Sequence, residues 1–107
     1  MDDLMREVTD ETFADEVLAS PVPVIVDFWA PWCKPCEAIE PHLRAIADAL
    51  GVPIVKIDID ENLAVAGRYG VLALPTVMLF SGGHTRVTIY GARSRSHYER
   101  AFAPYLP

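Results

Sequence analysis

The chain has two cysteines, and both lie in the stretch FWAPWCKPCE, where two residues separate Cys33 from Cys36. Thiols at this spacing serve as a reversible redox pair, as half of a zinc site or as a structural crosslink. Apolar residues make up 51% of the 107 residues, which is enough to form a core without a stabilising crosslink. The redox pair and the metal site are therefore the two uses to distinguish.

The cysteines lie between a predicted buried strand and a predicted helix. The segment VPVIVDFWA is β-branched and almost continuously apolar, as is typical of a strand buried on both faces. Residues 33–50 follow with apolar side chains at helical spacing, and Gly51 is a natural residue to end that helix. Pro41 falls inside the helix and predicts a kink, because proline removes one backbone hydrogen bond.

This arrangement predicts different environments for the two thiols. Residues three apart in a first helical turn have Cβ atoms roughly 5–6 Å apart, so a small shift allows a disulfide. Pro35 is tolerated there because first-turn N–H groups have no partner within the helix. The helix N-terminus favours Cys33 as a thiolate, whereas Cys36 is expected to be more buried and harder to ionise. Cys33 is thus the predicted nucleophile and Cys36 the predicted resolving thiol.

Asp27 is an acid in the middle of the apolar strand VIVDFWA. Cys36 must lose a proton before it resolves a mixed disulfide, and a buried carboxylate with a raised pKa is a suitable base. The same position also fits an aspartate that faces the sheet edge and is hydrogen-bonded to water. The sequence alone leaves both interpretations open.

The remaining segments predict an α/β fold. REVTDETFADEVLAS predicts a short strand and then a helix. Thr9 or Asp10 is the predicted cap of this helix, and its apolar face consists of Phe13, Val17 and Leu18. VPIVKIDID predicts a second buried strand, ENLAVAGRYG a short helix, and TVMLFSGGHTRVTIYGA a hairpin. A last helix is predicted over 94–106 with Ser94 as its cap. The order β-α-β-α-β-α-β-β-α implies a single mixed five-stranded sheet with helices on both faces.

The charge composition argues against two classes of partner. The net charge is −6 and the sequence pI about 4.8, whereas nucleic acids and anionic membranes attract proteins with a surplus of Lys and Arg. The opening residues MDDLMREVTDE are acidic and polar, unlike a secretory signal, and no apolar run approaches a membrane span. We expect a monomeric cytoplasmic protein with a single domain over residues 1–107, and neither nucleic acid nor membrane as its partner.

Three segments together resemble the thioredoxin family. DFWAPWCKPC is similar to the family's active-site segment, usually written WCGPC, and YGVLALPT resembles its second signature. FSGG followed by YGA resembles its terminal hairpin and groove glycine. The resemblance runs in register from about Phe13 to the C-terminus. A CxxC pair alone is a weak signal, but WCxPC after a buried strand and before a downstream Pro-Thr is a specific one.

The resemblance implies a thioredoxin fold and a protein disulfide reductase, a thiol–disulfide oxidoreductase of cell redox homeostasis. It implies that Cys33 is the nucleophile, Cys36 the resolving thiol and Asp27 the buried proton acceptor. Lys56 matches a family lysine near that acid, where it can modulate its ionisation. Pro41 matches the family's helix kink.

The resemblance also implies a substrate groove and an electron source. The peptide bond before Pro75 is expected to be cis and to face the disulfide, which leaves the Leu74 backbone free to pair with an extended substrate. The implied groove residues are Trp32, Ala73, Leu74, Gly91 and Ala92. No bound cofactor is implied: electrons pass from NADPH through a flavoprotein, thioredoxin reductase, to the redox-active disulfide and then to disulfides in client proteins.

Other interpretations of these residues exist. A structural zinc site needs four ligands, and the chain offers one CxxC pair without a suitably spaced pair of histidines, so no metal is expected. A Cys–His nucleophile does not account for Cys36 or Pro35. Two alternatives stay open: a thioredoxin-like redox protein dedicated to one client or donor, and a thioredoxin-fold binding or chaperone module.

Individual side chains also have ordinary structural interpretations. Trp29, on the buried strand, is expected to pack against the active site, and Trp32, in the loop, to be exposed and face substrates. Lys56 fits either a modulator of Asp27 or a solvated lysine at a strand end. Surface positions are expected for the three histidines, His42, His84 and His97. Capping roles are expected for the acids at the end of the second buried strand and just after it, which are Asp58, Asp60 and Glu61.

Lys34 is the position where the chain departs from WCGPC, since the family has glycine there. A cation beside Cys33 favours the thiolate and so the reduced form, which predicts a slightly weaker reductant than a glycine variant. Because Lys34 is expected to be exposed, screening limits the effect to about 1 kcal/mol, or roughly 20 mV for a two-electron couple. We therefore expect Lys34 to tune the pair without changing its direction. The chain keeps Pro35 before the second cysteine, which resembles the family's reducing members.

Overall fold

The structure is a computed structural model that describes residues 5–107, so the first four residues of the predicted domain lie outside the described part of the chain. Strands and helices alternate through residue 68, and a hairpin and a last helix follow. In chain order the elements are β1 (Met5–Glu7), a π-helical segment (Ala14–Leu18), β2 (Val24–Trp29), α1 (Lys34–Leu50), β3 (Ile54–Asp58), α2 (Leu63–Arg68), β4 (Thr76–Ser81), β5 (His84–Tyr90), α3 (Arg95–Phe102) and a 3₁₀ turn (Ala103–Tyr105).

The strands form a mixed sheet in the order β1-β3-β2-β4-β5. β1 and β2 both run parallel to β3, whereas β4 runs antiparallel to β2 and β5 antiparallel to β4. The predicted five-stranded mixed sheet is therefore confirmed. β2 is the central strand and is hydrogen-bonded to a neighbour on each side. The segment that holds the cysteines follows directly from it.

Helices cover both faces of the sheet, as predicted. One apolar cluster joins the sheet to α1 and α3 and contains Ile25, while the other joins it to the π-helical segment and α2 and contains Val26. Successive side chains in a strand point to opposite faces. Asp27 therefore points to the same face as Ile25, toward α1 and α3.

Helix α1 follows the sequence-based expectation closely. It begins at Lys34 with Cys33 as its N-cap, and it ends at Leu50 with Gly51 as its C-cap, at a left-handed φ of 66°. The Gly51 N–H donates to the carbonyl oxygen of Ala47 at 2.9 Å. Pro41 lies within the helix, and a kink at that residue stays a prediction.

The first helical segment differs from the predicted helix. Phe13 and Val17 are buried as predicted, but residues 14–18 are π-helical, with the Ala19 N–H donating to the Ala14 carbonyl oxygen at 2.9 Å. A turn closed by Thr9 precedes the segment, whose own N-cap carries no side-chain hydrogen bond.

The expected cap Asp10 serves a different helix. Its carboxylate accepts the backbone N–H groups of Ala64 and Val65, at 3.1 and 2.9 Å, and so caps the N-terminus of α2. The prediction that Asp10 could cap its own helix is wrong, because the fold brings the start of α2 within reach of this loop. Asn62 strengthens the same junction by accepting the Asp10 N–H at 2.8 Å.

The last helix is shorter than predicted. Ser94 caps α3 as expected and accepts the His97 N–H at 3.2 Å, but α3 ends at Phe102. Pro104 lacks the N–H that would continue the α-helical pattern, so the chain tightens into the 3₁₀ turn. Leu106 still packs against the core cluster that contains Phe102. In the part of the chain from 5 to 107, no helix has the length and apolar character that a bilayer crossing requires.

Candidate active site

The two cysteines lie at the N-terminus of α1 and form a disulfide, with their Cα atoms 5.3 Å apart. Cys33 is the N-cap residue, and its Sγ accepts the backbone N–H of Cys36 at 3.2 Å. A sulfur in this position satisfies one of the N–H groups that have no partner in the first turn. The same donors and the positive end of the helix dipole favour a thiolate at Cys33.

The prediction that Cys36 is clearly more buried than Cys33 is wrong for the disulfide form. Cys33 is 4% exposed and Cys36 is 3% exposed, so both are buried in the disulfide form. Ala30 and the partly buried Trp29 and Leu74 pack around the pair, which covers Cys33 as well as Cys36. The asymmetry between the thiols lies in the capping position and in the hydrogen bond to the Cys33 sulfur.

The residues between the cysteines lie on the surface. Lys34 and Pro35 begin the first turn of α1; both are exposed, and the exposure of Lys34 was predicted. Proline at this position costs no helical hydrogen bond. The cationic side chain of Lys34 therefore lies in solvent next to the disulfide.

A loop before β4 lies against the disulfide. The Leu74–Pro75 peptide bond is cis, as predicted, and Leu74 packs in the same small apolar cluster as Cys33 and Cys36. The Thr76 hydroxyl donates to the Ala73 carbonyl oxygen at 2.6 Å and holds the loop. The structure thus brings this predicted groove segment to the cysteines.

The end of β5 is tied to the same loop. The Gly91 N–H donates to the Pro75 carbonyl oxygen at 2.8 Å, so the predicted groove glycine and its neighbour Ala92 lie beside the cis-proline loop. The Tyr98 hydroxyl donates to the Gly91 carbonyl oxygen at 3.2 Å and accepts the Arg93 N–H at 3.3 Å. No local pattern in the sequence indicates that Tyr98 holds the Gly91 and Arg93 backbone in this way.

Two exposed apolar side chains lie on loops of the site. Trp32 is 64% exposed, and its indole N–H donates to Asp60 Oδ2 at 3.0 Å. Asp60 was expected to have a capping role, and it instead holds this tryptophan. Leu72, two residues before Leu74, is 95% exposed and is not among the groove residues that the sequence indicated. Its place inside the YGVLALPT segment was the available signal.

Asp27 is buried on the central strand β2, with 1% of its surface exposed. Among residues 5–107, neither of its carboxyl oxygens has a hydrogen-bond partner. Burial, with a further contribution from the negative charge of Glu40, raises the pKa of Asp27 from 3.8 to about 7. The alternative of an edge-facing, solvated aspartate is therefore wrong, because β2 is the central strand.

Lys56 lies next to Asp27 across the sheet, as the resemblance implied, since the two residues are paired in the β2–β3 register. Its ammonium is directed at other groups: Nζ donates to Glu40 Oε2 at 2.9 Å and lies 4.7 Å from the centroid of the Trp29 ring. Trp29 packs against the cysteine cluster, as predicted. Glu40 was not identified from the sequence, although it follows Cys36 by four residues, which places both on one face of α1.

The remaining candidate residues lie on helices and in the hairpin. Pro41 is exposed on α1, His84 is exposed in the hairpin, and His42 and His97 are partly buried on their helices. Within residues 5–107, no group of three or more His, Cys, Asp or Glu side chains is arranged to hold a metal ion.

Comparison with known proteins gives a consistent picture. A sequence model of the thioredoxin family matches residues 4–103. The chain is 47% identical to the thioredoxin of Streptomyces clavuligerus over 94 residues, which cover 87% of this chain and 88% of the relative. It is 40% identical to the thioredoxin of Porphyra purpurea, with 95% and 97% covered, and 42% identical to thioredoxin 1 of Nostoc, with 94% and 95% covered.

These relatives match the chain over nearly its whole length, and the fold and the CxxC pair are those that the resemblance implied. On the match of the family model and the identity to its relatives, this chain belongs to the thioredoxin family.

Proposed function

We propose that this thioredoxin reduces disulfides in client proteins by a two-step exchange, with Cys33 as the nucleophile and Cys36 as the resolving thiol. The protein is a thiol–disulfide oxidoreductase, the activity of its family, and it carries the redox-active pair. The observation that carries the assignment of roles is the capping position of Cys33, whose sulfur accepts the N–H of Cys36.

The first step forms a mixed disulfide. The Cys33 thiolate attacks one sulfur of the client disulfide, and the other client sulfur leaves as a thiolate that takes up a proton. Trp32, Ala73, Leu74, Gly91 and Ala92 form the proposed client groove, and the exposed Leu72 adds apolar surface to it. The Leu74 backbone pairs with an extended segment of the client.

The second step releases the client. Asp27 accepts the proton of the Cys36 thiol, and the Cys36 thiolate then attacks the sulfur of Cys33. The second client sulfur leaves as a thiolate, so the client gains two electrons and two protons, and the Cys33–Cys36 pair is oxidised. A carboxyl with a pKa of about 7 is suited to this exchange, because both of its forms are populated near neutral pH.

The electron source and the location are part of the same proposal. Electrons come from NADPH through a flavoprotein, thioredoxin reductase, and the protein itself binds no cofactor. We place the activity in the cytoplasm and assign it to one domain over residues 1–107, working as a monomer.

Reduction of insulin disulfides, driven by NADPH and a thioredoxin reductase, tests the donor. Turnover with dithiothreitol but none with the reductase would indicate a different electron source. A Cys36→Ser variant should accumulate a mixed disulfide with the client, whereas Cys33→Ser should form none. A mixed disulfide through Cys36 would reverse the assigned roles. Full biological activity of a variant that carries both Cys33→Ser and Cys36→Ser would instead support a binding or chaperone module.

A further inference from the structure

The Lys56 ammonium lies among several groups of opposite charge. β1, β3 and β2 are in register, so that Glu7 is paired with Lys56 and Lys56 with Asp27. Because paired residues in adjacent strands point to the same face, all three side chains project toward the face that α1 covers. Helix α1 adds Glu40 to this face, so three carboxyl groups and one ammonium lie on the same side of the sheet.

The geometry favours Glu40 over Asp27 as the partner of Lys56. The Lys56 Nζ lies 2.9 Å from Glu40 Oε2, and the Lys56 side chain is 18% exposed. The ring of Trp29 lies 4.7 Å from the same nitrogen and restricts its movement. Arg44 adds to this arrangement from the next turn of α1, where its Nη2 lies 3.9 Å from Glu40 Oε1.

Among residues 5–107, nearby charges act on the Asp27 carboxyl group, but none of them is hydrogen-bonded to it. Its oxygens have no hydrogen-bond partner among residues 5–107, and its neighbour on β4 in the sheet register is Val77. The charged groups that act on it are Glu40 on α1, Lys56 on β3 and Glu7 on β1. Asp27 in turn acts on Tyr98 on α3, and burial raises the pKa of the Tyr98 hydroxyl.

We propose that Glu40 is a positioning residue for the proton transfer: by holding the Lys56 ammonium, it keeps Asp27 from forming an ion pair and sets the pH at which Asp27 exchanges its proton. This role rests on the function proposed for Asp27 above. Burial is the main reason for the raised pKa of Asp27; the charge of Glu40 raises it further, Lys56 lowers it and Glu7 raises it. The arrangement therefore keeps the carboxyl protonated up to about neutral pH.

The proposal predicts opposite effects of two substitutions. Glu40→Gln removes the negative charge and releases Lys56 toward Asp27, so the pKa of Asp27 should fall by about one pH unit. Lys56→Gln removes the cation, so the pKa should rise by a similar amount. Glu40→Asp keeps the charge and should restore most of the original value.

A direct test is the titration of the Asp27 carboxyl carbon by NMR in the oxidised protein, because this signal does not depend on turnover. Glu37→Gln is the matched control, since it removes one exposed carboxylate from the same helix and should leave the titration unchanged. An Asp27 titration that is unchanged in Glu40→Gln, or that moves equally in Glu37→Gln, would overturn the proposal.

A variant that carries both Glu40→Gln and Lys56→Gln distinguishes two ways in which Glu40 could act on Asp27: through Lys56, or by direct repulsion between the two carboxylates. If Glu40 acts by holding Lys56, Glu40→Gln should shift the titration less when Lys56→Gln is already present. An equal shift in both backgrounds would show that Lys56 is not the intermediary and would refute the proposed mechanism.

Turnover provides the link to function. The pH dependence of dithiothreitol-driven insulin reduction should move to lower pH in Glu40→Gln, following the carboxyl titration. A titration that moves without the rate profile would remove Asp27 as the base for Cys36, and would leave Glu40 in control of the ionisation of Asp27. The two proposals thus fail in distinguishable ways.

Discussion

Replacement of Asp27 by asparagine should stabilise the oxidised protein, and the gain should increase with pH. The pKa of Asp27 is raised from 3.8 to about 7 in the folded protein, mainly because the carboxyl is buried. The folded state therefore holds this proton more tightly than the unfolded chain does. Stability is highest below the unfolded pKa, falls as the pH rises from 3.8 to about 7, and levels off above that range.

The size of the effect follows from the shift. A difference of about three pH units, at about 1.4 kcal/mol per unit, corresponds to about 4 kcal/mol of lost stability above neutral pH. Solvent screening requires no large discount, because only 1% of Asp27 is exposed. Asparagine has nearly the shape of the protonated acid and cannot ionise, so it should recover most of this free energy at about pH 8 and little at about pH 4.

Guanidinium unfolding of the oxidised protein and of Asp27→Asn, at intervals from about pH 4 to about pH 9, measures this difference. Asp48→Asn is a suitable control, because it removes an exposed carboxylate from α1. Its difference from the unsubstituted protein should change little with pH. A difference for Asp27→Asn that is constant over the range, or that shrinks as the pH rises, would refute the assignment of a raised pKa.

Two further substitutions test other parts of the structure. Lys34→Gly should make the potential against glutathione more negative by up to roughly 20 mV, because the loss of a nearby cation destabilises the Cys33 thiolate. An unchanged or less negative potential would contradict this reasoning. Asp10→Ala removes both side-chain hydrogen bonds at the start of α2 and should lower the free energy of unfolding by about 1 kcal/mol in urea. Equal stability would show that solvent replaces the cap.

Periodicity and turn residues predicted most of the fold. Strand β2, helix α1 and the hairpin agree with the expectations, because their apolar patterns and glycines report local geometry. The cap that Asp10 provides could not be predicted, since it joins residues more than fifty positions apart. The helix predicted over 94–106 was too long: Leu106 follows Phe102 at helical spacing, but Pro104 between them interrupts the helix.

The individual residues of the site could be predicted from the sequence, whereas the burial of the cysteines and the ion pairing around Asp27 could not. The motif indicated the cysteines, Asp27 and Pro75, but the equal burial of the two cysteines depends on side chains that arrive from other loops. The partner of Lys56 depends on the register of β3 and on how α1 lies across the sheet. Glu40 is one of several charged residues on an amphipathic helix, so nothing in its local sequence distinguishes it.

The stability cost and the proposed chemistry of Asp27 have the same physical cause. An aspartate in solvent or in a full ion pair would keep a low pKa, and it would then be too weak a base for a thiol near neutral pH. Burial on the central strand, with Lys56 held by Glu40, raises the basicity of the carboxylate and destabilises the fold when it ionises. Asp27→Asn should therefore produce a more stable protein that resolves mixed disulfides more slowly, and a variant that gained stability without losing this rate would separate the two effects.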